Sequence, residues 1–198
     1  MPALMPAAAR ALQAAGALSL LLLPLILWAA SATAALPWVT AALLAVLLLR
    51  LRALLTRPRT PGSTAATLSA AAGALLCAVS LVQGGPTAML YYPVAVNVLL
   101  LALFALSLLT PHSAVELLAR LRHPDLDEHG VRYTRHVTAA WCIFFILNGA
   151  LALLTCLHGD LQVWAIYNGV LAYILIGVMF AAEYLVRRSV LERRRGGA

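Results

Sequence analysis

Long apolar runs broken by short polar stretches organise this chain almost from end to end. A membrane-crossing helix needs about 20 predominantly apolar residues, and such runs occupy roughly residues 11–30, 35–49, 64–82, 90–109, 138–157 and 163–186. The pattern predicts an all-α polytopic membrane protein: six transmembrane helices in one integral membrane domain over residues 1–198. Between the fourth and fifth runs, "TPHSAVELLARLRHP" places Ser113 three residues before Glu116, the spacing of a capping box, and so predicts a short helix over 113–122. Val115, Leu117, Leu118 and Leu121 are expected on one side of it and Arg120 and Arg122 away from them, which suits an amphipathic helix lying in the membrane interface. Pro124 ends that helix, Asp125 or Asp127 can cap the next, and Glu128 stands four residues before Arg132.

Composition agrees with a lipid-facing protein. Apolar residues make up 63% of the 198 and charged residues 11%, with a mean hydropathy of +0.92, beyond what a soluble domain can cover. All 14 basic residues are arginines. Arg10 precedes the first run, Arg50, Arg52, Arg57 and Arg59 follow the second, Arg120, Arg122, Arg132 and Arg135 separate the fourth from the fifth, and Arg187, Arg188, Arg193, Arg194 and Arg195 follow the sixth. The alternate connections, "SATAALP", "VQGGPTAM" and "LHGDLQ", carry none. With six spans every arginine falls on one side, and the positive-inside rule makes that side, with both termini, cytoplasmic. The net charge of +7 is therefore first a topology signal. Anionic lipid headgroups are its expected partner, and nucleic acid is not, because no aromatic-basic surface accompanies the tail "RRSVLERRRGGA".

The N-terminal run also has features of a signal peptide, with small residues at Ala32 and Ala34, but its length and its Pro24 and Trp28 favour a retained helix. Cys77, Cys142 and Cys156 all fall in runs and read as small core residues. Cys142 and Cys156 stand about 21 Å apart along one helix, too far to pair, whereas Cys77 and Cys156 share the outer side.

Three of the five histidines fall within "HPDLDEHGVRYTRHV". His129, Tyr133 and His136 recur on one helical face, yet Gly130 and the flanking arginines oppose a metal centre there. His123 and Glu128 echo a histidine-acid acyltransferase spacing without the other parts such chemistry requires. The segment reads as a capped helix start, with no catalytic residue, metal or cofactor. Inside the runs, polar groups are costly in hydrocarbon and invite a functional reading. Asn97, Asn148 and Asn168 are expected to meet in the outer half of the bundle, with Tyr91, Tyr92, Trp164 and Tyr167 at the same level. Two roles are open to them: hydrogen bonds that join helices, or a small polar pocket. Glu183, the one acid inside a run, stands one turn before Arg187 and is expected to pair with it at the cytoplasmic surface.

From "GGPTAMLYYPVAVNVLLLALFALSLL" through "ELLARL", "VRYTRHVTAAWCIFFILNGALAL" and "WAIYNGVLAYILIGVMFAAEYLVRR", the chain resembles an uncharacterised bacterial inner-membrane family found beside aryl polyene and xanthomonadin-type pigment genes. The likeness covers about residues 84–188. The order of a tyrosine-proline helix, an interfacial helix and Trp-x-x-Phe-Phe with Asn-Gly is also distantly similar to the intracellular septation protein A family, although Tyr92-Pro93 stands where those proteins have lysine-proline. The resemblance implies the bacterial inner membrane and a pathway neighbourhood, and supplies no catalytic residue.

The expectation is a non-catalytic accessory protein for acyl or aryl-polyene lipid synthesis or delivery. Arg120, Arg122, Arg132, Arg135, Arg187 and Arg188 would contact acyl carrier protein, other pathway enzymes or anionic lipid. The alternatives are a small lipid or solute transporter using the asparagines and a septation-like structural protein. Condensing-enzyme chemistry is not supported, since it needs an activated cysteine and paired histidines in a soluble domain.

Overall fold

In the computed structural model the described residues are 26, 29, 36–56, 61–85, 87–121 and 124–196, with no strand among them. The elements are α1 (Leu36–Leu55), α2 (Pro61–Gln83), α3 (Thr87–Leu90), α4 (Tyr92–Leu108), α5 (Ala114–Arg120), α6 (Glu128–His158), α7 (Leu161–Ile166), a π-helical segment (Tyr167–Leu171) and α8 (Ala172–Gly196). Five stretches are long and apolar enough to cross a membrane: Pro37–Leu55, Ala66–Gln83, Thr87–Leu108, Glu128–His158 and Leu161–Arg188. The run expected over 11–30 lies outside the described residues.

Helix ends follow local chemistry. Gly84 and Gly159 adopt positive φ, a conformation without steric penalty only for glycine, and end α2 and α6. Asp127 caps α6 by accepting from Gly130 N, so this helix starts ten residues before the apolar run at 138 and carries the histidine segment into regular structure. Likewise α1 continues past residue 49 to Leu55, so Arg50 and Arg52 ride on the helix instead of following it. Pro93 has no N–H to give to the turn before it, and the expected continuous run over 90–109 is split into α3 and α4 at Tyr91.

Two cores hold the helices together. Leu43 and Leu47 of α1, Ala74 and Cys77 of α2, Met89, Tyr92, and Trp164 and Ala165 of α7 form one. Val137, Trp141 and Phe145 of α6 form the other, against Phe104 of α4 and Ile176 and Met179 of α8. Its rings meet edge to face, Phe104 and Phe145 at 5.2 Å between centroids and Trp141 and Phe144 at 5.4 Å. Among the described residues, most of the large apolar side chains that face outward are leucine, isoleucine and valine, as suits lipid contact. All three cysteines are free; the Cys156 thiol donates to the carbonyl of Leu90.

Candidate functional site

At the arginine-bearing end, α5 is tied to its neighbours more tightly than a helix merely resting on the interface. The first four N–H groups of any helix lack partners within it, and here each has one from a side chain. Ser113 N donates to Glu116 Oε2 and Glu116 N to Ser113 Oγ, completing the capping box. Ala114 N donates to Ser107 Oγ of α4 at 2.9 Å, and Val115 N to Thr138 Oγ1 of α6 at 3.3 Å. Glu116 is fully buried, and its Oε1 lies 2.9 Å from both His112 Nδ1 and Arg120 Nε. Burial alone would raise the Glu116 carboxyl, but the bonds from His112, Arg120 and Ser113 outweigh it and hold the group below the ordinary carboxylate range.

This arrangement corrects the expected faces of α5. Val115 and Glu116 turn toward α4 and α6, while Leu117, Leu118 and Leu121 face outward, 37%, 61% and 81% exposed. Val115 therefore does not share a side with the leucines. The capping box was visible in sequence; the full burial of Glu116 was not, although its donors His112, Ser113 and Arg120 all lie within four residues of it.

Of the six arginines expected to face a partner, two are taken up inside the fold. Arg120 pairs with Glu116 and donates from Nη1 to Pro124 O. Arg135 reaches from α6 to the last turn of α4, its Nη2 2.5 Å from Leu108 O and its Nη1 3.3 Å from Thr110 O, satisfying carbonyls that the helix end leaves open. Arg132 is exposed and directed at the His129 ring, not at Glu128. Arg187 is half-exposed, 3.8 Å from Glu183, and lies over the Tyr184 ring. Arg188 is exposed, and Arg122, like His123, lies outside the described residues. His129 and His136 are both exposed, whereas Tyr133 turns inward and donates to the Glu183 carbonyl, so the three do not converge.

Deeper in the bundle, Asn97, Asn148 and Asn168 are buried, and their bonds divide them. Asn148 Nδ2 donates to Asn97 Oδ1 at 3.1 Å, Asn97 Nδ2 to Pro93 O at 2.8 Å, and Tyr167 OH to Asn148 Oδ1 at 2.9 Å. The line therefore runs α4, α6, π segment, and each amide oxygen and nitrogen in Asn97 and Asn148 has a partner. Helices α4 and α6 approach closely enough here that a Cβ on Gly149 would stand 3.0 Å from that of Asn97. Asn168 does not join this line. Its Nδ2 donates to Thr155 Oγ1 at 3.0 Å and Trp164 O at 2.9 Å, about two turns farther along α6 than Asn148. Both residues open the π segment, in which Ala172 N bonds back to Tyr167 O. As neighbours in a helical turn they point about 100° apart, the Tyr167 hydroxyl to Asn148 and the Asn168 amide to Thr155, nearer the end of α6. Trp164 is buried, its Nε1 donating to Leu90 O at 2.9 Å, and Tyr92 sits in the first core while Tyr91 is partly exposed.

Sequence reasoning also missed Arg50. Its Nε and Nη1 are buried without a hydrogen-bond partner among the described residues. The signal available was its position only one residue beyond an apolar run, on a helix with nothing to end it there.

Comparison with protein-family models, characterised proteins and solved structures returned no match to this chain.

Proposed function

We propose that this is a non-catalytic accessory protein of the bacterial inner membrane, with six spans and both termini in the cytoplasm, that supports the synthesis or delivery of an acyl or aryl-polyene lipid. The observation that carries the reading is the arginine-bearing end. There α5 is held rigidly by Ser107, Thr138 and the Glu116 pairs, with three leucines directed outward. Exposed Arg132, Arg187 and Arg188 lie on the flanking helices. A fixed basic surface at the bilayer favours acidic partners such as acyl carrier protein, with on-rates that salt weakens. The closed hydrogen bonding of Asn97 and Asn148 supports a joining role for that pair over a pocket for solute.

The test is sedimentation of proteoliposomes carrying the full chain with purified acyl carrier protein. Retention should fall when Arg132, Arg187 and Arg188 are changed together to Gln, and should weaken as ionic strength rises. Equal retention by the triple variant and the parent would remove the reading.

A further inference from the structure

Arg50 brings a charge into the bundle, with Nε and Nη1 buried and without a hydrogen-bond partner among the described residues. It lies fourteen residues into α1 from Leu36, about 21 Å along the axis, and about 7 Å before the helix ends at Leu55. Leu47, one turn earlier, is fully buried in the core with Ala74, Cys77, Met89 and Tyr92. Helical side chains lean toward the N-terminus of their helix. On α1 that direction leads away from the arginine-bearing end and into this core. That places the Arg50 charge within electrostatic reach of the Tyr92 phenol. An arginine that served only to snorkel would extend the other way, over the short distance to water.

Among the described residues no carboxylate pairs with it. None of the seven acidic residues precedes Glu116, so α1, α2 and everything before them supply none. The ion pairs among the described residues engage Arg120, His112 and Arg187. Arg50 is partly buried, and leaving its buried Nε and Nη1 without an anion is costly; a charged group within a span marks a binding or transport position when no structural partner accounts for it. Planar guanidinium matches carboxylate and phosphate oxygens. The surroundings fix the rest of the ligand: beside Arg50, Leu48 and Leu49 face outward on α1, each 51% exposed, so a hydrocarbon tail has an apolar surface to lie along.

We propose that Arg50 anchors the oxyanion head of an apolar-tailed amphiphile within the membrane, with the Tyr92 phenol on the side of the core. The site stands independently of the pathway reading above, which concerns the opposite, water-facing surface of the arginine-bearing end.

The experiment uses the full chain in a neutral detergent and measures thermal unfolding with palmitate, phosphatidylglycerol or dioleoylglycerol added. Palmitate, phosphatidylglycerol or both should raise Tm, and dioleoylglycerol should not. Arg50→Gln should bind the active anion at least tenfold more weakly, and Arg50→Lys should keep part of the affinity. A response to palmitate alone identifies a free carboxylate as the ligand, and to phosphatidylglycerol alone a lipid phosphate. Without either, or with undiminished affinity in Arg50→Gln, the proposal fails. Should the Gln variant not fold, a diazirine-bearing form of each amphiphile on the parent protein decides the matter. Labelling near Arg50 and Tyr92 supports the site, and labelling confined to other helices overturns it.

Discussion

Asn148 donates from Nδ2 to Asn97 Oδ1 across the α4–α6 contact, and its own Oδ1 accepts from Tyr167. One buried side chain thus joins three elements. Asn148→Leu removes both bonds and leaves the Asn97 Oδ1 without its donor and the Tyr167 hydroxyl without its acceptor. Interhelical bonds in membranes contribute about 0.5 to 2 kcal/mol each, so the variant should lose roughly 1 to 3 kcal/mol, read as lower Tm in detergent. Tyr167→Phe should cost less, and the double variant should cost less than the sum. Additive losses would show that the bonds act separately.

Glu116 sets an acid limit on the protein. Its carboxyl is held below the ordinary range in the folded state, so the fold binds fewer protons there than the unfolded chain. The stability it contributes is complete above the unfolded value, about 4.3, and is lost as pH falls through the lower folded value. Glu116→Gln should lower Tm at pH 7 by removing a charged acceptor, at a cost of about 1 to 3 kcal/mol. It should also flatten the decline of Tm with acid below the carboxylate range. A parental acid profile in the Gln variant would place the titration elsewhere.

Removing the cap on α4 has a local signature. Arg135→Ala leaves the carbonyls of Leu108 and Thr110 without their donor, at an expected cost of about 1 to 2 kcal/mol. Amide exchange should quicken over the last turn of α4 and the start of α5 while the aromatic core around Trp141 stays protected. Uniform quickening would mean that Arg135 supports the whole fold.

Orientation can be read with reporters. Fusions at Gly62 and Gly130 should behave as cytoplasmic, and at Gly85 and Gly159 as periplasmic, because the arginines gather at the ends bearing the first pair. A periplasmic signal at Gly130 would reverse the arrangement.

What the sequence discloses here is what depends on near neighbours. Apolar run length locates α1, α2, α4, α6 and the α7–α8 stretch, and the Ser113–Glu116 box appears because both halves lie within one turn. The split at Tyr91 has a visible cause in Pro93. Contacts across the bundle are another matter. Arg135 looks identical to a solvent-facing arginine in a string of letters, and only folding brings it to Leu108, 27 residues away. Arg50 was assigned to the water side because a charge ordinarily stops an apolar run, whereas α1 continues through it. Asn97 and Asn148 could be set at compatible depths by counting residues. The separate bonding of Asn168 could not, since depth does not say which face of the helix a side chain presents.

That break in regularity between Tyr167 and Leu171 works as a one-residue phase shift. A π turn holds one residue more than an α turn, so the face presented after it is offset by about 100° from the face an uninterrupted helix would present. Trp164 and Ala165 look into the core shared with α1 and α2, while Ile176 and Met179 look into the aromatic core on α6. A single deletion within the segment would yield a smoother helix and a worse protein, since one of these two seams would then have to face lipid.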